Sequence, residues 1–206
     1  AQAIHQGEAY GTLLGKEREP VMVEYVSANP TGPLHVGHGR GATVGSALVN
    51  LLRVAGYPVR SEYYINDAGN QIDTLAASVN ARYLELFDRA AAFPENGYRG
   101  ADIIATAERI AAKEGDCYLA MPEAERLRVF REVALKEKLA ALQEDLSAFA
   151  VRFDVWFSER TLHPDKVQAV VEELRSKGAV YEEDGALWFR STEYGDDKDP
   201  RRGSGK

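Results

Sequence analysis

Two histidines, His35 and His38, stand three residues apart around Gly37, and upstream of them Glu24, Ser27 and Asn29 lead into the turn-forming run Asn29-Pro30-Thr31-Gly32-Pro33. His35, Gly37 and His38 fall where a helix is predicted to begin. Unpaired backbone N–H groups and the positive dipole end favour an anion there, most often a phosphate. No cysteine or carboxylate pair stands at ligand spacing around the histidines, so no protein metal site is expected. Gly37-His38-Gly39-Arg40-Gly41-Ala42 also fits the looser G-x-G-x-x-A dinucleotide fingerprint, with Glu62 about 25 residues on. That fingerprint follows its strand almost at once. Here about ten residues, two of them prolines, intervene after Val26, and the histidines have no role in such a motif. Glu24 raises a separate question, because it places a carboxylate inside an otherwise apolar strand run, which is costly unless the charge is paired. Arg60 or Arg40 could supply the partner.

The elements that must position these groups can be read from periodicity. Val21, Val23, Tyr25 and Val26 are β-branched or aromatic and predict a buried strand over 21–26. The prolines and Gly32 break it. From Val36 onward Val44, Ala47, Leu48, Leu51 and Leu52 recur at helical spacing, and Gly56-Tyr57-Pro58 ends the helix. Val59 to Ile65 makes a second strand. The resulting βαβ unit implies parallel strands, a right-handed crossover and a ligand site at the carboxyl ends of the strands. Asn66 to Gln71 would line that edge, with Asp67 as a plausible N-cap of the next helix.

From Gln71 to Ala150 the composition turns to Ala, Glu, Arg and Leu, and helices are predicted over 71–90, 101–114 and 123–150. In the last, Leu135, Leu139, Leu142, Leu146 and Phe149 form an apolar stripe to be buried, while Glu125, Arg128, Arg131 and Glu132 read as a solvated face. Strand character returns over 151–157. Thr161-Leu162-His163-Pro164 introduces a helix of about 164–177, and strands at 179–182 and 186–190 flank the hairpin signal Glu183-Asp184-Gly185. His5 is assigned no role. The tail from Pro200 to Lys206 is polar and flexible, and it is not a P-loop, since Pro200 stands where the first glycine would.

A chain of 206 residues with 45% hydrophobic content can bury a sizeable core, and 28% charged residues argue against a largely disordered protein. Its single cysteine, Cys117, makes no intrachain disulfide, and no apolar run reaches the length of a membrane span or signal-peptide core, which favours the cytoplasm. A net charge of −7 gives no general basic footprint for nucleic acid, so any nucleic-acid contact would be local or made by parts not present.

The run Ser27-Ala28-Asn29-Pro30-Thr31-Gly32-Pro33-Leu34-His35-Val36-Gly37-His38 closely resembles the H-I-G-H signature of class I aminoacyl-tRNA synthetases. Val23 to Pro33 is similar specifically to arginyl-tRNA synthetases, and so are Tyr63 to Gln71, Phe153 to Glu159 and Leu187 to Asp199, so the resemblance spans about residues 20 to 199. It implies an α/β fold: a partial Rossmann-like nucleotide-binding domain with parallel strands and a helical insertion. The expected organisation is an N-terminal linker or helix (1–19), a first βαβ half (20–70), a helical insertion (71–150), a return to the catalytic domain with a strand, helix and hairpin (151–199) and the flexible tail (200–206). The insertion is unlike β-rich editing domains, so no proofreading is expected.

The resemblance further implies ATP-dependent activation of arginine and its transfer to tRNA(Arg), with ATP as a substrate accompanied by Mg2+. No membrane and no obligate protein partner are implied. By the family pattern His35 and His38 donate to ATP phosphates, Gly37 leaves room for adenosine, and Glu24, Ser27 and Asn29 surround the amino acid, with Glu24 toward its guanidinium and Asn29 toward its α-amino and carboxylate end. Several family features have no counterpart: a K-M-S-K-like loop, the downstream Tyr and Asp of the amino-acid pocket, and the N-terminal and anticodon-binding domains. Pro200 also stands where an arginine is usual. The chain therefore reads as the first part of such a catalytic domain, inactive alone. The alternative is a non-catalytic module that binds ATP or a dinucleotide.

Overall fold

Alternating apolar residues make Val21–Glu24 a strand (β1), shorter than the expected 21–26. Tyr25 N–H still donates to the Glu62 carbonyl at 3.3 Å, but Val26 and Ser27 then take φ of 66° and 39° and the chain turns away. The structure, a computed structural model, describes residues 17–195 together with Gly7 and Gly11. Almost all of the expected N-terminal linker, with His5, and all of the tail from Pro200 lie outside the described residues. The chain divides into two compact units, Ala1–Glu159 and Arg160–Lys206.

In the first unit, β1 is followed by a helix, α1 (Val36–Val54), and a second strand, β2 (Val59–Ile65). β2 runs parallel to β1 in register Val21↔Val59 to Glu24↔Glu62. A third strand, β3 (Val155–Ser158), pairs parallel with the other side of β2, giving the order β1-β2-β3. The parallel βαβ arrangement expected from the sequence is present. The face that α1 buries is different from the apolar spacing that marked it: Ala42, Gly45 and Val49 are buried, whereas Val44, Leu48 and Leu51 are 63%, 46% and 69% exposed. The reason is close approach. Gly45 lies directly on Tyr25, and a Cβ there would overlap the Tyr25 ring, so the helix meets the sheet through its small residues.

Between β2 and β3 lie three helices, α2 (Asn70–Glu85), α3 (Ala101–Glu114) and α4 (Glu123–Ala148). Leu75, Val79 and Tyr83 of α2, Ile103 and Ala107 of α3, and Phe130 and Ala134 of α4 share one core. At about 1.5 Å per residue α4 is roughly 39 Å long. It reaches a second core, where Leu146 packs with Tyr25, Val49, Tyr63 and Ile65 against the sheet. The predicted stripe is buried at Leu135, Leu142 and Leu146, but Phe149 is 56% exposed. Arg131 is not part of a solvated face: it lies 3.1 Å from Asp73, and its guanidinium donates at 3.5 Å to the carbonyl of Asp67. In the second unit Pro164 precedes α5 (Asp165–Ser176), and β4 (Val180–Glu183) pairs antiparallel with β5 (Ala186–Phe189). Asp184 and Gly185, at φ 52° and 74°, form the two-residue turn that both positions' left-handed backbones permit.

Asp154 fixes the register of β3. Its carboxylate accepts from Ser61 N–H at 2.7 Å, Ser61 Oγ at 2.8 Å and the Arg53 guanidinium at 2.7 Å, and its own N–H donates to Ser61 Oγ at 3.0 Å. These bonds, those from Ser61 foremost, hold its carboxyl below the usual carboxylate range. The clip ties β2, β3 and the last turn of α1 together. Asp154→Asn should cost about 1–2 kcal/mol in urea unfolding at pH 7, the low end for bonds to a charged group because the side chain is partly exposed. A depressed folded value means that the carboxylate's contribution is fully present above the unfolded value, about 3.9, and is lost as pH falls through the folded one. The gap between wild type and Asp154→Asn should therefore narrow toward pH 3; a constant gap would show that charge is not what the clip uses.

Candidate active site

Helix α1 opens with backbone N–H groups that lack a helical partner, and the two histidines take up that of Gly37 and that of the cap residue itself. His35 is the N-cap, in extended conformation, and its Nδ1 accepts from Gly37 N–H at 3.1 Å. His38 reaches back, and its Nδ1 accepts from His35 N–H at 3.2 Å. The rings stack at 3.7 Å, inclined by 20°. An Nδ1 that accepts a hydrogen bond carries no proton, so each neutral ring is protonated on Nε2. Among the described residues neither Nε2 has a hydrogen-bond partner, and the cap therefore leaves paired N–H donors beside the positive end of the helix. Burial, and then the nearby His35, lower the pKa of His38, which keeps it in the neutral form that the cap needs. Gly37 has a local reason besides access: a Cβ there would lie 2.9 Å from His35 Cε1 and 3.0 Å from its Nδ1, pushing the ring out of place.

Gly37, Gly39 and Ala42 lie inside α1. A dinucleotide fingerprint needs its glycines in the tight turn between strand and helix, and the long loop from Tyr25 to His35 separates these from β1. That placement speaks against the dinucleotide reading.

The carboxyl edge of the sheet brings the other predicted residues together. Ser27 Oγ donates to Glu24 Oε1 and accepts from Tyr64 N–H at 3.0 Å. Asn66 Nδ2 donates to Asn29 Oδ1 at 3.1 Å, joining the loops that follow β1 and β2. Glu24 itself is exposed at the end of β1, so its charge is not desolvated within the strand as its apolar neighbours suggested. Neither Arg60 nor Arg40 pairs with it. Arg60 lies 3.7 Å from Glu62, and among the described residues Glu24 makes no ion pair.

Asp67 is not the N-cap of α2. Gly69 is, at φ 84°, and Asp67 is instead 5% exposed and accepts from Ser158 Oγ at 2.6 Å at the end of β3. Sequence reasoning missed this pairing, since nothing local links residues 91 apart. It also missed Tyr63, whose hydroxyl donates to the Ala28 carbonyl at 2.8 Å beneath the loop and is pushed up to about 12 by burial. A cavity of about 270 Å3 opens beside the histidines, lined by Leu34, His35, His38, Ala42, Leu146 and Phe149 among others. The exposure of Phe149 places it on this cavity rather than in the core. Among the described residues no three His, Cys, Asp or Glu side chains come together in a way that could hold a metal ion.

A parallel sheet whose first crossover helix opens on a histidine cap, with polar side chains gathered at the neighbouring strand ends, is a Rossmann-like α/β frame. Residues 1–199 match the family model described as tRNA synthetases class I (R), catalytic domain, and the chain belongs to that family. It is 55% identical over 197 residues to the arginine–tRNA ligase of Bacillus subtilis (strain 168), covering 95% of this chain and 35% of that protein. The arginine–tRNA ligase of Bacillus cereus (strain ATCC 10987 / NRS 248) is 53% identical over 196 residues, with the same coverage. A crystal structure from Campylobacter jejuni assigned as an arginyl-tRNA synthetase superposes with a TM-score of 0.81 at 33% identity, over 96% of this chain and 43% of that one. The Thermus thermophilus arginyl-tRNA synthetase, at 24% identity and a TM-score of 0.54, shares the fold over 86% of this chain and 31% of its own. The chain thus spans about a third of the length of the curated relatives it matches.

The cap predicts a specific tautomer. Long-range 15N–1H NMR should show both His35 and His38 as Nε2–H at neutral pH, and an Nδ1–H form of either would break the arrangement. Because the folded pKa of His38 is lowered, its capping contribution is complete above the unfolded value, about 6.5, and is lost as pH falls through the folded one. The protection factor of the His35 amide, its exchange rate referred to the intrinsic rate at each pH, should therefore fall as the pH drops below that range.

Proposed function

We propose that this chain serves as the first part of the catalytic domain of an arginine–tRNA ligase, with residues 71–150 as a helical insertion. The observation that carries the proposal is the double histidine cap, which leaves Nε2–H donors at the head of α1 while Glu24, Ser27 and Asn29 gather at the neighbouring strand ends. The reaction asks for positioned donors more than for a strong base. A carboxylate oxygen of arginine attacks the α-phosphorus of ATP, the bond to the bridging oxygen breaks, and pyrophosphate leaves with the electron pair. A ribose hydroxyl of tRNA(Arg) then attacks the acyl carbon and AMP leaves. Negative charge spreads over phosphate oxygens in the first step, and His35 and His38 would donate to it there. Gly37, without a side chain, would let the adenosine lie close to the backbone. Glu24 would accept the guanidinium, and Asn29, oriented by Asn66, would hold the α-amino and carboxylate end.

Mg2+ is proposed to enter with the ATP phosphates rather than to sit in a protein site, given that the described donor set offers no cluster for it. The cytoplasm, where tRNA is charged, is the proposed location; no helix among the described residues is long and apolar enough to cross a membrane.

Activity measurements on a chimera and on the chain alone test this function. Substituting residues 1–199 for the matching segment of the Bacillus subtilis ligase should give a chimera that charges tRNA(Arg). In it, His35→Ala or His38→Ala should lower kcat about 100-fold, by analogy with loss of one transition-state donor, with KM for arginine within about threefold. Glu24→Gln should shrink the preference for arginine over citrulline, an uncharged near-isostere. A folded chimera without activity, or undiminished discrimination in Glu24→Gln, would overturn the respective assignment. The chain by itself should show no arginine-dependent pyrophosphate exchange, because several absent transition-state donors at about 3 kcal/mol each would take turnover below detection.

A further inference from the structure

The turn that leaves β1 is strained in a way that nothing local requires. Ser27 N–H donates to the Tyr25 carbonyl at 3.0 Å across Val26, whose φ is 66°. An i to i+2 bond about a positive φ is the rare γ-turn, and a β-branched residue at its centre is a genuine outlier. Ser27 follows at φ 39°, also left-handed. Such a conformation persists only where the surroundings over-determine it, and such sites cluster where geometry serves function.

What the turn achieves is the placement of one hydroxyl. Ser27 Oγ has a single proton and gives it to Glu24 Oε1, and it accepts the N–H of Tyr64, the residue of β2 that lies past the end of β1. The second carboxylate oxygen of Glu24 has no hydrogen-bond partner among the described residues. Tyr64 in turn stacks on Phe157 of β3 at 6.1 Å, so the position of the hydroxyl is referred to the sheet and not to the loop.

We propose that Ser27 is a positioning residue: its hydroxyl, carried on the strained turn and anchored to Tyr64 N–H, fixes the exposed Glu24 carboxylate with one oxygen turned to a guanidinium. This rests on the assignment of arginine to Glu24, and it gives Ser27 a part that acts through Glu24 rather than by touching the amino acid. An exposed glutamate samples several rotamers, and a ligand must order it on binding. A hydroxyl that already holds it removes that cost, so selectivity for the charged side chain is set before the ligand arrives.

The test is a double-mutant cycle on the 206-residue chain, with millimolar L-arginine and L-citrulline titrated by 15N–1H NMR. Ser27→Ala should weaken arginine binding about tenfold and leave citrulline within about twofold, and in a Glu24→Ala background it should add nothing. Ser27→Gly, which suits the left-handed backbone, should repeat the result and guards against a folding failure of Ser27→Ala. Equal weakening of both ligands, or a full effect of Ser27→Ala when Glu24 is absent, would overturn the positioning role and leave Glu24 as selector. An arginine response that is missing in the wild type, or unchanged in Glu24→Ala, would overturn the assignment of Glu24 and this inference with it.

Discussion

The candidate site depends on how the first turn of α1 is satisfied. Every helix opens with N–H groups that have no partner within it, and serine, threonine, aspartate or asparagine usually supplies one. Here imidazole nitrogens do so, and the substitution has a chemical consequence. A serine cap would keep an O–H to donate, but on a freely turning rotor, and an aspartate would set a negative charge at the helix head. A histidine uses one nitrogen and presents the other, with a proton on it. His35 and His38 do this reciprocally, each fixing the tautomer by a bond to the backbone, and their stacking holds the rings in one orientation. Capping therefore does not compete with the proposed donor role of these residues. The cap is what makes them donors.

The same economy operates at β2, which is the middle strand and the reference for the other parts of the edge. Ser61 takes the Asp154 clip from β3, Tyr63 supports the Ala28 carbonyl, Tyr64 N–H anchors Ser27, and Asn66 holds Asn29. Successive side chains of a strand point to opposite faces. Tyr63 is accordingly buried against Trp156, at a ring separation of 4.3 Å, while Tyr64 stacks on Phe157. One strand thus sets the height of the loop after β1 from below and from its end.

Much of this was legible in the sequence, and the failures have physical causes. β2, α3 and the hairpin turn at Asp184 and Gly185 were readable because each carries local chemistry: β-branched and aromatic alternation, a glycine on either side, and a turn pair suited to positive φ. The buried face of α1 was misread because hydrophobic spacing marks large residues, whereas a helix that approaches a sheet closely does so through small ones; Gly45 against Tyr25 decides the matter. The shortening of β1 was hidden for another reason. Val26 has strand propensity, and only tertiary bonds made by the residues around it hold it at a positive φ. Asp67 looked like a cap because aspartate beside a helix start usually is one. Its actual partner, Ser158, is brought near only by the third strand. The Glu24 carboxylate was expected to be desolvated within an apolar strand, and it is exposed at the strand's end instead.

The strained turn and the bonds around it can be weighed against each other. A non-glycine residue held in the left-handed region costs of order 1–3 kcal/mol, and Val26 and Ser27 are two in succession. The bonds that bracket them are Tyr63 to Ala28, Tyr64 to Ser27 and Asn66 to Asn29, each worth about 1 kcal/mol net. The two sums are of the same size, so the turn is held but not deeply. All of the bracketing groups come from β2 or the residue after it. It follows that the shape of the loop, and with it the direction of the Glu24 carboxylate, is as firm as the seat of β2 in the sheet and no firmer. The Asp154 clip and the Tyr63–Trp156 stack lie on the far side of β2 from the loop, yet they belong to the same mechanical chain: β3 holds β2, β2 holds the turn, and the turn holds the carboxylate.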